Sequence, residues 1–189
     1  WANLKQFQKE NTELMSTNLK DPRIVLMGNS ITEGWLNFSP KFFEGKNYIN
    51  RGIGGQTTPQ MLLRFRQDVV DLNPAVVVIL AGINDIDGNT GPSTIEMIED
   101  NIISMAEIAK ANHIKVVLSS VLPAYDFPWR QGLEPAEKVM KLNRLLKEYA
   151  NKQNMVYLDY FSSMADEKNG LIAELGYDGV HPNAAGYKV

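Results

Sequence analysis

A serine, a histidine and an aspartate in short polar segments of this chain have the side chains that acyl transfer requires. Ser30 lies in Gly28-Asn29-Ser30-Ile31-Thr32-Glu33-Gly34, and Asp178 and His181 both lie in Asp178-Gly179-Val180-His181-Pro182-Asn183. A serine hydroxyl is a weak nucleophile until an adjacent base takes its proton, and imidazole is the usual base. The imidazole in turn needs a carboxylate to set its tautomer and to stabilise the imidazolium. One short loop can present Asp178 and His181 together. The developing oxyanion also needs fixed donors. Candidates are the side-chain amide of Asn84, in Gly82-Ile83-Asn84-Asp85, and the backbone N–H groups of Ser30 and Gly55. Gly55 belongs to Arg51-Gly52-Ile53-Gly54-Gly55-Gln56-Thr57-Thr58.

Composition removes most competing chemistries. The chain has no cysteine, which excludes thiol nucleophiles, iron–sulfur clusters, disulfides and cysteine zinc sites. Its only histidines are His113 and His181, too few for a three-histidine zinc site. Lys and Arg number 19 against 22 Asp and Glu, a net charge of −3 with no basic run, which argues against a nucleic-acid partner. No segment approaches the roughly 20 apolar residues of a membrane span. Asp85 and Asp87 lie close to Asn84, but two loop carboxylates read as solvated, with no metal to hold. His113, just before an apolar run, reads as structural. The expected partner is a small-molecule or carbohydrate ester.

The elements that must position these residues follow from hydrophobic periodicity. Short β-branched runs predict strands at Arg23–Gly28, Tyr48–Asn50, Ala75–Ala81, Ile114–Leu122 and Met155–Asp159. Helical spacing predicts a first helix with Trp1, Leu4, Phe7 and Leu14 on its apolar side. A second helix starts at Thr58 as N-cap with Pro59 in its first turn, carries Leu62, Phe65, Val69 and Leu72, and ends at Asn73-Pro74. Ile95 to Ile108 mark a third helix and Val139 to Tyr149 a fourth. Alternating strands and helices imply a parallel sheet in a three-layer α/β/α sandwich. The run Ala75 to Leu80 lacks polar alternation, so it belongs at the sheet centre, covered on both faces. Ligands of such sheets bind outside the carboxyl ends of the strands, where the polar segments fall.

Four of these segments, in this order, resemble the blocks of the SGNH (GDSL-type) hydrolases: Gly-Asn-Ser-Ile-Thr, Gly-Gly-Gln-Thr-Thr, Gly-Ile-Asn-Asp and Asp-Gly-Val-His-Pro-Asn. They span residues 28 to 183. The resemblance implies residues 1–189 as one hydrolase domain with a flavodoxin-like five-stranded sheet of order 2-1-3-4-5. It further implies a serine esterase mechanism and no cofactor. It places the nucleophile at Ser30, the oxyanion donors at Ser30, Gly55 and Asn84, and the acid and base at Asp178 and His181. Asn29 stands where the family's short name has Asp, and Gln56 stands where Asp is common. Neither departure removes a catalytic atom.

Blander roles compete with each assignment. Ser30 could cap the helix after its strand, and Gly52 and Gly54 could only make a turn. Trp35, Tyr125, Phe127 and Trp129 are pocket-lining candidates or merely packed. A lysophospholipase or thioesterase would use the same machinery. A catalytically idle carbohydrate-binding module would not need Asp178 and His181 together, and an FMN site would need a phosphate-cradling loop that the Ser30 segment lacks. Trp1 in place of an initiating Met fits a cleaved leader and an extracytoplasmic location. The apolar start at Gly186-Tyr187-Lys188-Val189 reads as a C-terminal helix that continues further.

Overall fold

The computed structural model describes residues 1–17 and 22–189. Its five strands are β1 (Ile24–Gly28), β2 (Tyr48–Gly52), β3 (Val76–Leu80), β4 (Lys115–Ser119) and β5 (Val156–Leu158). They pair in parallel in the order β2-β1-β3-β4-β5, with β3 at the centre as its unbroken apolar run requires. Seven α-helices are described: α1 (Gln8–Ser16), α2 (Ser30–Phe38), α3 (Thr58–Asp68), α4 (Ile83–Asp87), α5 (Ile95–Ala111), α6 (Ala136–Lys152) and α7 (Phe161–Met164). Short β-branched segments become strands because two substituents on Cβ crowd a helix and pack well on a pleated sheet.

The two faces of the sheet are unequal. Val25, Met27, Val77, Ile79, Val116 and Leu118 join Phe65, Ile98, Ile102, Met105 and Leu142 in the main core. Alternate residues point the other way. There Leu26 and Val78, with Trp35, Tyr160 and Tyr187, line an apolar cleft. Further out, Val156 and Leu158 of β5 are exposed. The expected cover on both faces is therefore complete on one and partial on the other.

Local expectations fail where polar side chains, not apolar periodicity, hold the chain. Residues 1–7 are not α-helical, and Trp1 and Leu4 are exposed. Amide side chains seat them instead: Gln60, Gln56 and Gln67 donate to the carbonyls of Trp1, Ala2 and Leu4 at 2.8, 2.9 and 2.6 Å. The cap of α3 is Thr57, one residue earlier than expected, in a capping box with Gln60. That helix gives way to a 3₁₀ turn at Val70–Leu72 before Asn73 turns left-handed. Gly186–Lys188 form a single 3₁₀ turn.

Arg64, on α3, is wholly buried and ties the carboxyl ends of two strands together. It donates to the Gly28 carbonyl at 3.0 Å, the Arg51 carbonyl at 2.8 Å and Gln56 Oε1 at 2.6 Å, and pairs with Asp68 at 3.0 Å. Removing one partner of a buried ion pair leaves an uncompensated charge and unsatisfied acceptors. Arg64→Ala should therefore destabilise the protein by about 3–5 kcal/mol in urea unfolding. A loss below about 1 kcal/mol would show that the network contributes nothing.

Candidate active site

The first block is built where β1 meets α2. Asn29 is the N-cap: its side-chain oxygen accepts from Ile31 N–H at 3.0 Å, and its carbonyl accepts from Glu33 N–H at 2.9 Å. Ser30 is thereby relieved of capping and becomes the first helical residue, whose N–H has no intrahelical acceptor. Gly52 is not a turn glycine. It ends β2, and a Cβ there would lie 2.1 Å from the Glu33 nitrogen, so its bare Cα lets the first turn of α2 press against the sheet.

The second and third blocks are stapled to each other. Gly55 adopts a left-handed backbone, φ +73°, that turns the loop toward α3. Asn84 Nδ2 donates to the Gln56 carbonyl at 2.9 Å, which occupies one of its two amide hydrogens and leaves the other. Asn89 donates to the Gly55 carbonyl at 3.0 Å. Asp85 accepts from the Thr58 N–H at 3.0 Å and the Thr58 hydroxyl at 2.6 Å. Burial pushes the Asp85 carboxyl up to about 6, against these hydrogen bonds. The reading of Asp85 and Asp87 as solvated is thus corrected: both are buried on α4, where each has donors of its own.

The last block closes on the first across the fold. His181 Nε2 lies 2.9 Å from Ser30 Oγ, and His181 Nδ1 lies 2.7 Å from Asp178 Oδ2. The carboxylate fixes the proton on Nδ1 and leaves Nε2 to accept from the serine. Asp178 Oδ1 accepts from the backbone N–H groups of Val180 and His181, at 3.0 and 2.8 Å. Burial alone would raise the Asp178 pKa, but the hydrogen bonds from His181 and Val180 outweigh it and hold the carboxyl below its ordinary value. Asn183 pins the loop: its side chain donates to the Glu174 and Gly176 carbonyls and accepts from Ala185 and Gly186 N–H groups. Ser30, His181 and Asp178 thus lie in one hydrogen-bonded line at the carboxyl edge of the sheet. The blocks carrying Gly55 and Asn84 are joined to each other beside it.

The remaining candidates separate. His113 precedes β4, at the opposite edge of the sheet from Ser30, in a left-handed turn after α5. Trp35 stacks on Phe42 at 4.6 Å and packs beside Tyr187, where it lines the cleft with Leu26 and Val78. Phe127 is buried, and Tyr125 is exposed. Trp129 alone of the four has its ring beside His181, at 5.9 Å between centroids. Tyr177, which sequence reasoning missed, is the other ring contact of His181, stacked on the imidazole at 5.7 Å and 12°. Its signal was its place directly before Asp178. No cluster of three or more His, Cys, Asp or Glu suited to a metal ion occurs among the described residues.

Residues 26–189 match the model of the GDSL-like lipase/acylhydrolase family. A candidate acylhydrolase of Bacteroides fragilis with a solved structure superposes with a TM-score of 0.96 at 48% identity, covering 100% of this chain and 91% of that one. An uncharacterized lipoprotein of Bacillus subtilis is 30% identical over 118 residues, 53% of this chain and 48% of its own. The match thus spans about half the length of that relative. An acetylxylan esterase of Geobacillus stearothermophilus is 24% identical over 154 residues, covering 77% of this chain and 68% of that protein.

Proposed function

The chain belongs to the GDSL-like lipase/acylhydrolase family and is an ester-hydrolysing enzyme, and from that premise we propose that it removes short acyl groups, acetyl above all, from carbohydrate esters. The observation that carries this reading is the line from Ser30 Oγ through His181 to Asp178, at 2.9 and 2.7 Å. In this reading residues 1–189 act as one hydrolase domain. Similarity to an acetylxylan esterase supports a short acyl group on sugar, and similarity to a lipoprotein supports a location outside the cytoplasm.

Ser30 Oγ attacks the ester carbonyl carbon as its proton passes to His181 Nε2. The resulting imidazolium is stabilised by Asp178, whose lowered pKa keeps it charged throughout. The carbonyl oxygen becomes an oxyanion and is held by the N–H groups of Ser30 and Gly55 and the free amide hydrogen of Asn84. Collapse breaks the carbon–oxygen bond, and the alcohol leaves with the proton from His181. Water then attacks the acyl-Ser30 ester, again losing its proton to His181; the carbon–Oγ bond breaks, His181 returns the proton to Ser30 Oγ, and the carboxylic acid is released. No other group is needed to balance either half-reaction.

Asn84→Ala should fold normally and lose about 10²–10³ in kcat, the usual loss for one oxyanion donor. KM should change far less, because this hydrogen bond strengthens as charge develops on the oxygen. A raised KM with kcat intact would make Asn84 a substrate-binding residue instead. The overall reading is tested by hydrolysis of esters varied in acyl length and alcohol, with Ser30→Ala as the control. Fastest turnover of acetylated sugars supports it. Faster turnover of acyl chains of about ten or more carbons would move the assignment to a lysophospholipase or thioesterase.

A further inference from the structure

The His181 ring is bordered by two aromatic rings that the protein leaves more than half exposed, Tyr177 at 61% and Trp129 at 52%. Neither is loose. Trp129 Nε1 donates to Asp87 Oδ2 at 2.8 Å, and Asp87 is itself only 4% exposed. Phe127 is buried with its ring 5.6 Å from the indole. Arg130 donates to the Asp87 carbonyl, and its guanidinium nitrogen lies 3.9 Å from Asp87 Oδ1. Asp126 accepts from the N–H groups of Phe127 and Gly132, closing the loop on itself. Asp87 Oδ1 is buried without a hydrogen bond. Burying a carboxylate this way is unfavourable, and among the described residues the one side-chain hydrogen bond it accepts comes from the exposed indole.

We propose that Trp129 and Tyr177 form a platform for the sugar ring of the leaving alcohol, and that Asp87 is the positioning residue that holds Trp129 in place. The proposal rests on the esterase reading above. Its geometric basis is the path of the proton. The alcohol oxygen must come within hydrogen-bond reach of His181 Nε2 to receive it, so whatever that alcohol carries lies within a ring's width of both aromatics. The half-exposed indole of Trp129 offers a flat apolar surface that suits the C–H face of a pyranose, and Tyr177, stacked on His181 and on Phe38, extends that surface with the part of its ring that remains exposed. The half-exposed Arg130 guanidinium has donors left for its hydroxyls. Because the indole is anchored before substrate arrives, little ordering cost is left for binding.

The test compares a monoacetylated methyl glucoside with ethyl acetate, whose alcohol is too small to cover the rings. Trp129→Ala should lower the ratio of kcat/KM for the glucoside to that for ethyl acetate about five- to tenfold, through KM for the glucoside. Trp129→Phe should restore most of the ratio, since a ring remains. Asp87→Leu should lower it as Trp129→Ala does, with the melting temperature recorded to confirm folding. Equal losses on both esters, or a loss confined to kcat, would overturn the proposal by making the rings supports of His181 rather than of substrate. Ser30-dependent hydrolysis of ethyl acetate keeps the esterase reading standing whatever the ratio does. If wild type hydrolyses neither ester, that reading fails, and the platform is judged by binding alone. The Ser30→Ala variant should then show tryptophan fluorescence quenching by the glucoside that Ser30→Ala/Trp129→Phe lacks. No quenching overturns the platform.

Discussion

His181→Ala should abolish ester turnover, with kcat falling by about 10⁴–10⁶, while His113→Ala keeps at least about half of wild-type activity. The two histidines make an internal control because the parallel sheet separates them. His181 lies in the loop that returns to the carboxyl edge, 2.9 Å from Ser30 Oγ and 2.7 Å from Asp178. His113 lies just before the start of β4, and the start of one parallel strand cannot adjoin the end of another. Removing the imidazole of His181 leaves a hydroxyl with nowhere to send its proton, and an alcohol that must leave as an alkoxide. Initial rates on a small acetate ester, with folding checked by circular dichroism, decide the matter. Full activity in His181→Ala, or its loss in a folded His113→Ala, would put the catalytic centre at the other edge of the sheet.

An organophosphonate that mimics the tetrahedral intermediate should label wild-type protein on the peptide containing Ser30, and Ser30→Ala should take up no label. Turnover by Ser30→Ala should fall as far as that by His181→Ala. The double variant should be no worse than either, because nucleophile and base act as one unit and their losses do not add. This non-additivity separates a working triad from a serine and a histidine that are merely neighbours, whose effects would multiply. Covalent label on another serine of an active preparation would remove Ser30 from the mechanism. Because Asn29 and not Ser30 caps α2, the Ser30→Ala variant should melt close to wild type, so lost activity is not lost fold.

Much of this molecule is legible in the chain because it depends on neighbours in sequence. The apolar runs at Ile24–Gly28 and Val76–Leu80 became adjacent parallel strands, and the spacing of Ile95, Ile98, Ile102 and Met105 became the buried face of α5. The four blocks, from residue 28 to 183, lie within the stretch that matches the family, residues 26–189. Periodicity misled at Trp1 and Leu4, where glutamine side chains from α3 and the loop before it hold the backbone and no apolar burial is involved. It also missed Arg64, since a charged residue beside the apolar stripe of a helix looks solvated until its acceptors are known.

The sequence by itself determined the kind of chemistry, the sheet that presents it and the residues able to perform it, because residue type, strand and helix period and local turn chemistry act over a few positions. Only the tertiary structure decided which of those residues meet. Ser30 and His181 are 151 positions apart, and their contact depends on how the last loop is held in shape by Asn183 and brought to the end of β1. The same holds for the burial of Asp87 and for the hydrogen bond that turns Trp129 toward His181. A side chain's burial and partners depend on what packs across from it, and that is set by the closing of the whole fold rather than by the residues on either side.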